Sequence, residues 1–400
     1  MKTKTPAIFI GILFLTGCQN LKEVDTTVYM DPSRPVEERV EALLEQMTLE
    51  EKIGQMDMVS EWDQDSIMKA GYYDFGAWIA GQEPEAANLL QSFSEKTRLK
   101  IPYLIGMDAA HGYATLQGRT IYPTSVSMAA TFNRSLTEQA ARKAAAEIRS
   151  AGTHWTFAPC VDIVCDARWG RTGETYGEDP FLASEMVRTA VKGLQDNPDP
   201  AKRVPASVAA GGVSAGGVNH ASAEISERFL RSYILPPFKA AVEAGCMTIM
   251  PGHNDIGGIP CHASRWLLTD VVKGEFGFGG FFISDMMDMD NLTSLHFTAE
   301  NQSQALEKSI NAGMDMHMYS PGSLQFAVPV RQLVREGKIP VSRIDDAVRR
   351  ILKVKFSLGL FENRYTDPAA DRYATPDSRR TALEAARECV VLLKNEGNLL

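Results

Sequence analysis

The 400-residue sequence has no excess of basic charge, no Cys-x-x-Cys pair, no His-Glu-x-x-His and no Walker loop. Each absence closes off a class of function. A net charge of −9 argues against a nucleic-acid binder, which presents a basic face. Without paired cysteines, a zinc ribbon or thioredoxin-type site is not expected. Without the two ligand motifs, zincin and P-loop chemistry lack their anchors. No spacing of Asp and His supports a metal site, and no cofactor is implied. Beyond the N-terminal segment, no stretch is apolar for long enough to span a bilayer.

The N-terminal segment is informative. Lys2 and Lys4 precede a nearly continuous apolar run over 7–16, followed by Leu15-Thr16-Gly17-Cys18. This is a signal-peptide layout. Its ending resembles a bacterial lipobox, which makes Cys18 the expected lipidation site and anchors the mature chain to an envelope membrane. The alternative is a plain secretory signal that happens to abut a cysteine. The other five cysteines are Cys160, Cys165, Cys246, Cys261 and Cys389. Cys160 and Cys165 are close enough in sequence for a disulfide, but buried free thiols are the expectation.

Residues 19–35 are polar and read as a tether. From Val36, apolar residues recur at helical spacing, and Thr48 with Glu51 fits a capping box that opens a second helix. Short apolar runs then alternate with amphipathic segments. Strands are predicted at 76–80, 103–107, 155–158, 204–209, 247–250, 281–284 and 314–318. Helices are predicted at 84–96, 136–150, 181–194, 227–244, 265–275, 301–312, 324–336 and 342–358, with Ser135 and Glu138 as a further capping box. The βα repeat indicates an α/β fold, a parallel sheet closed into a (β/α)8 barrel over 36–360. An open doubly wound sheet is the alternative, but no Gly-x-Gly-x-x-Gly follows the first strands. Residues 361–376 read as a linker. Residues 377–400 hold a short helix and a β-rich run, expected to be the truncated start of a second α/β domain.

In such a barrel, catalytic groups follow the C-terminal ends of strands. Asp108 and His111 follow the second predicted strand; Asp162, Asp166, Arg168 and Arg171 follow the third. His253 and Asp255 follow the fifth, and Asp285 and Asp288 the sixth. Carboxylates, Arg, His and Trp around a cleft suit carbohydrate chemistry. Each has a structural alternative: Arg168 and Arg171 as ion pairs with nearby acids, His111 and His253 as turn residues, Asp288 as a helix-start carboxylate.

Several motifs, in order, resemble the N-terminal domain of glycoside hydrolase family 3. They are Met47-Thr48-Leu49-Glu50-Glu51-Lys52-Ile53-Gly54-Gln55-Met56, Gly106-Met107-Asp108, His111-Gly112, Ala158-Pro159-Cys160-Val161-Asp162, Arg168-Trp169-Gly170-Arg171, Gly177-Glu178-Asp179-Pro180, Ile283-Ser284-Asp285 and 354–361. The run Val390-Val391-Leu392-Leu393-Lys394-Asn395-Glu396 looks like the opening of that family's second domain. The resemblance implies a TIM-type barrel and a retaining exo-β-glycosidase, β-glucosidase-like, acting on β-linked oligosaccharides. It makes Asp285 the nucleophile and gives Asp108 and Arg171 contacts to sugar hydroxyls. His253 and Met286 stand where the family usually has Tyr and Trp beside the substrate.

Two further departures matter. The family usually carries Lys-His-Phe on the strand after Arg-Trp-Gly-Arg, whereas here Ser207-Val208 runs into Ala209-Ala210-Gly211-Gly212. The missing Lys and His would grip the sugar, and a shortened strand is expected to be strained in register. His220, further on, is not an evident substitute. The family's acid/base comes from the second domain, so no residue here takes that role. A sugar-binding or catalytically impaired lipoprotein on the same barrel is therefore the alternative.

Overall fold

In the computed structural model, which describes residues 23–60, 65, 73–81, 83–209, 215–318, 324–370 and 374–398, eight short parallel strands form a ring. They are β1 (Asp57–Ser60), β2 (Ala77–Ile79), β3 (Leu104–Met107), β4 (Trp155–Thr156), β5 (Ser207–Ala209), β6 (Thr248–Met250), β9 (Phe281–Phe282) and β10 (His317–Met318). A two-strand antiparallel hairpin, β7 (Asp255–Ile256) and β8 (Ile259–Pro260), lies in the loop after β6. One sheet runs β10-β1-β2-β3-β4 and another β5-β6-β9. Parallel bridges Thr156↔Ala206 and Ile283↔Met316 join the two at both edges. Among the described residues no edge is left open, which establishes the barrel over the doubly wound sheet.

Helices separate the strands because their apolar residues fall on one stripe. In Val341–Ser357, for instance, Ile344, Ala347, Val348, Ile351 and Leu352 are fully buried at helical spacing against the barrel wall. The capping box at Thr48 forms as expected: the Glu51 N–H donates to Thr48 Oγ1 at 3.2 Å and the Thr48 N–H to Glu51 Oε2 at 2.8 Å. The second box does not form. The helix Arg134–Ser150 starts two residues earlier, with Asn133 extended and its Oδ1 accepting from the Leu136 N–H at 3.0 Å. Ser135 thus falls inside the first turn, and Glu138 pairs with Arg142 instead.

β1 was not among the predicted strands. All four of its residues are buried, so it shows none of the alternation that marks a half-exposed strand. β5 is short but not out of register: Ser207, Val208 and Ala209 pair with Thr248, Ile249 and Met250. The ring also needs close backbone approach. At Gly280, just before β9, a Cβ would stand 2.0 Å from the Met247 carbonyl oxygen.

Part of the expected tether is packed. Tyr29 is buried, meets the Phe361 ring at 6.3 Å, and its carbonyl accepts from Arg39 Nε. The helix Pro376–Glu388 lies on Arg134–Ser150 through Ala385, in a small cluster with Tyr122, Met128 and Leu136. The β-rich run after it pairs with no strand among the described residues, and Val390, Val391, Leu392 and Leu393 are exposed. Cys160, Cys165, Cys246, Cys261 and Cys389 are free, so Cys160 and Cys165 form no disulfide, and Cys165 is exposed. Cys18 lies outside the described residues. Among the described residues, no helix is long and apolar enough to cross a membrane.

Candidate active site

Because all eight ring strands run the same way, the residues that follow them gather at one mouth. Asp108 follows β3, Arg171 lies beyond β4, His253 follows β6, and Asp285 with Met286 follows β9. Ser284 explains why the Ser-Asp pair sits as it does. Its side chain is fully buried, its Oγ accepts from the Met318 N–H at 2.7 Å, and its own N–H donates to the Met316 carbonyl. β9 is thereby tied to β10, and the next side chain, Asp285, is released into the mouth. Two residues on, Met287 holds φ +61, a rare conformation for a non-glycine residue, and its N–H donates to the Met318 carbonyl.

Both Asp285 oxygens have donors. The Met286 N–H reaches Oδ1 at 2.6 Å, and His253 Nε2 stands 3.1 Å from Oδ2. The other His253 nitrogen, Nδ1, is 2.8 Å from Asp288 Oδ2. Burial alone would lower the imidazole pKa, but the two carboxylates it bridges outweigh that and raise it to about 10. His253 is therefore an imidazolium at neutral pH, donating to both acids. Asp285 shows the converse. Burial pushes its carboxyl up and Asp288's charge adds to that, but the bond and charge of His253 hold it below the usual range. Asp288, almost fully buried, is likewise drawn down to about 2: burial opposes, but the imidazoles and Asn291 Nδ2–H dominate.

Supporting groups sit behind these. The Asp285 N–H donates to His262 Nε2 at 3.3 Å. Burial lowers the His262 pKa, so this ring is neutral, with its proton on Nδ1 facing Asp288 Oδ2 at 3.7 Å. His296 Nε2 donates to the His253 carbonyl at 3.0 Å.

Asp108 makes its mark through the field. Its carboxyl is exposed after β3, but the surrounding protein displaces part of its water. That loss of solvent, with Asp285's charge, raises its pKa against the pull of Arg171. Arg171 grips Glu174 with Nε and Nη2 at 2.8–3.1 Å, and its Nη1 is 3.5 Å from His253 Nε2. With both groups cationic, that last contact is a juxtaposition held by the surrounding carboxylates, not a hydrogen bond. Met286 is exposed beside Asp285.

Other residues weighed in the sequence take structural roles. Arg168 pairs with Asp166, and His111 Nδ1 meets the Tyr122 carbonyl in a turn. Asp288 is no helix-start residue: the short helix Asn291–Ser294 begins after Asp290, and Asp288 partners His253. Sequence reasoning read Asp288 as a helix-start carboxylate and missed His262 and His296 as supports for the site. The one signal available was that all three lie in loops after β6 or β9, strands that are neighbours in the ring.

Comparison with known proteins agrees with this geometry. The family model described as the glycosyl hydrolase family 3 N terminal domain matches residues 48–354. A β-xylosidase of Formosa agariphila is 32% identical over 98% of this chain and 52% of its own length. A periplasmic β-glucosidase of Salmonella typhimurium is 34% identical over 88% of this chain and 47% of its own. The solved structure of a β-glucosidase from Erythrobacter marinus superposes with a TM-score of 0.87 at 32% identity, covering 93% of this chain and 52% of that one. The chain thus spans about half the length of the relatives it matches. With the ring, the Ser-Asp turn and the family model in agreement across most of its length, the chain belongs to glycosyl hydrolase family 3, as that family's N-terminal barrel domain.

Proposed function

We propose that this barrel carries the nucleophile of a retaining exo-β-glycosidase acting on β-linked glucosides or related sugars. The observation that carries the reading is Asp285. It is an ionised carboxylate at the barrel mouth, fixed through both oxygens by the Met286 N–H and the His253 imidazolium. Each oxygen keeps a lone pair. In the proposed step one attacks the anomeric carbon as the glycosidic C–O bond breaks and the leaving oxygen departs with the bonding pair. Water then attacks the anomeric carbon of the glycosyl–Asp285 ester and frees the carboxylate, and the proton it gives up passes through solvent to the departed leaving-group oxygen. Asp108 and Arg171 would hold hydroxyls, with His253 and Met286 beside the ring.

The relatives' names support β-glucoside or β-xyloside substrates, and a periplasmic relative supports an envelope location. Lipid attachment at Cys18 completes this reading. A diacylglyceryl mass on the mature N-terminal peptide would establish it; an unmodified Cys18, or cleavage elsewhere, would remove it.

The test uses a 2-deoxy-2-fluoro-glucoside with a dinitrophenolate leaving group, which departs without protonation. Mass spectrometry should find one adduct, on Asp285, and none in Asp285→Asn, whose affinity for sugar should stay within about threefold because no binding contact is lost. The absence of Lys-His-Phe favours a second reading, a sugar-binding barrel with lost catalysis. Sugar binding without any adduct would support that reading against the first.

A further inference from the structure

The fold assembles a metal-ligand set that the sequence spacing does not contain. His220 lies in the loop after β5, His253 after β6 and Asp288 after β9, three neighbouring strands of the ring. Each offers one ligand atom, and the three atoms lie within 4.8 Å of one another. The His220 and His253 rings meet edge to face at 4.8 Å between centroids. We propose that His220, His253 and Asp288 form a binding site for one divalent transition-metal ion of the Zn²⁺ type, at the rim of the barrel mouth.

The geometry needs only a small change. Metal–nitrogen and metal–oxygen bonds of about 2.0–2.2 Å place neighbouring ligand atoms about 3.3 Å apart. The His253 Nδ1 to Asp288 Oδ2 separation of 2.8 Å must open slightly, and His220 must close in. His220 is exposed and free to swing; the other two are held. In this arrangement the metal takes the place of the proton shared by His253 Nδ1 and Asp288, and that proton is released.

The shell around the set is that of a metal-bound histidine. With a metal on Nδ1, His253 still donates Nε2–H to Asp285, 3.1 Å away, giving a carboxylate–histidine–metal chain. Its backbone carbonyl is fixed by His296, and Asn291 Nδ2 donates to the second Asp288 oxygen at 3.0 Å. Two imidazoles and one carboxylate select Zn²⁺, Co²⁺, Ni²⁺ or Cu²⁺ over Mg²⁺ and Ca²⁺, which prefer all-oxygen shells. Three protein ligands leave a coordination position open to the mouth.

The experiment needs no glycosidase activity, so it stands apart from the reading above. The full chain, stripped with a chelator, is titrated with Zn²⁺ by calorimetry and with Co²⁺ by its visible d–d absorption. One ion per chain is expected, with no competition from a large excess of Mg²⁺. His220→Ala should weaken binding at least about tenfold with the melting curve unchanged, because that side chain is on the surface. Asp288→Asn should weaken it too. No Zn²⁺ uptake at millimolar concentration overturns the proposal, as does equal affinity in the wild type and His220→Ala.

Discussion

Replacing His253 by Gln removes the cation between two acids, and the structure fixes the size and the pH course of the effect. The imidazolium stands 3.1 Å from Asp285 and 2.8 Å from Asp288, the latter almost wholly buried. Its pKa is raised from 6.5 to about 10. By linkage, such a shift contributes on the order of 4 kcal/mol to stability at pH 7. An independent guide is that breaking a buried ion pair on one side costs about 3–5 kcal/mol. The sign follows from the direction of the shift. A group whose folded pKa is raised stabilises fully below its unfolded value, here 6.5, and loses that contribution as the pH climbs through 10. Urea unfolding of the two proteins across the alkaline range should therefore show a gap of about 3–4 kcal/mol at pH 7, narrowing to about 1 kcal/mol or less by pH 11. The acid side runs the other way. Asp288 is drawn down to about 2, so its contribution holds above the usual carboxylate range and fades as pH falls through that value. A gap that stays flat between pH 7 and 11, or never exceeds about 1 kcal/mol, would refute the bridging imidazolium.

Thr48→Ala should cost about 1 kcal/mol in urea unfolding, since it removes one reciprocal cap bond while Glu51 keeps its pair with Arg98; a loss above about 3 kcal/mol would mean that Thr48 does more than cap. Gly280→Ala should destabilise by at least about 2 kcal/mol, because the Met247 carbonyl in its path is backbone and cannot swing aside; an unchanged urea midpoint would show that β9 is free to shift.

The barrel was legible wherever strands and helices kept their periods. Seven of the eight ring strands were apparent as short apolar runs, and the helices as amphipathic stripes. β1 was lost for a physical reason: buried on both sides and directly continuing from the helix Leu49–Gln55, it offers neither alternation nor a breaking residue to mark its start. The start of Arg134–Ser150 was misplaced by two residues because Asn133 and Ser135 are both good caps, and only the backbone conformation decides between them.

The candidate site was legible in a different way. Asp108, Arg171, His253 and Asp285 each follow a strand, and strand ends are recognisable from local pattern. What joins them is not local. His253 and Asp288 are thirty-five residues apart and meet only because β6 and β9 are neighbours in the ring. The same adjacency brings in His220 from beyond β5, where the family's Lys-His-Phe would have placed a Lys and a His of its own. The mouth still carries positive charge without them. Arg171 and the His253 imidazolium still face Asp285 and Asp108, but from neighbouring loops and within hydrogen-bonding reach of carboxylates already present. A cation held that way stabilises the ionised Asp285 carboxylate and has fewer donors free for other acceptors. The cations at this mouth are thus placed first of all to keep Asp285 charged.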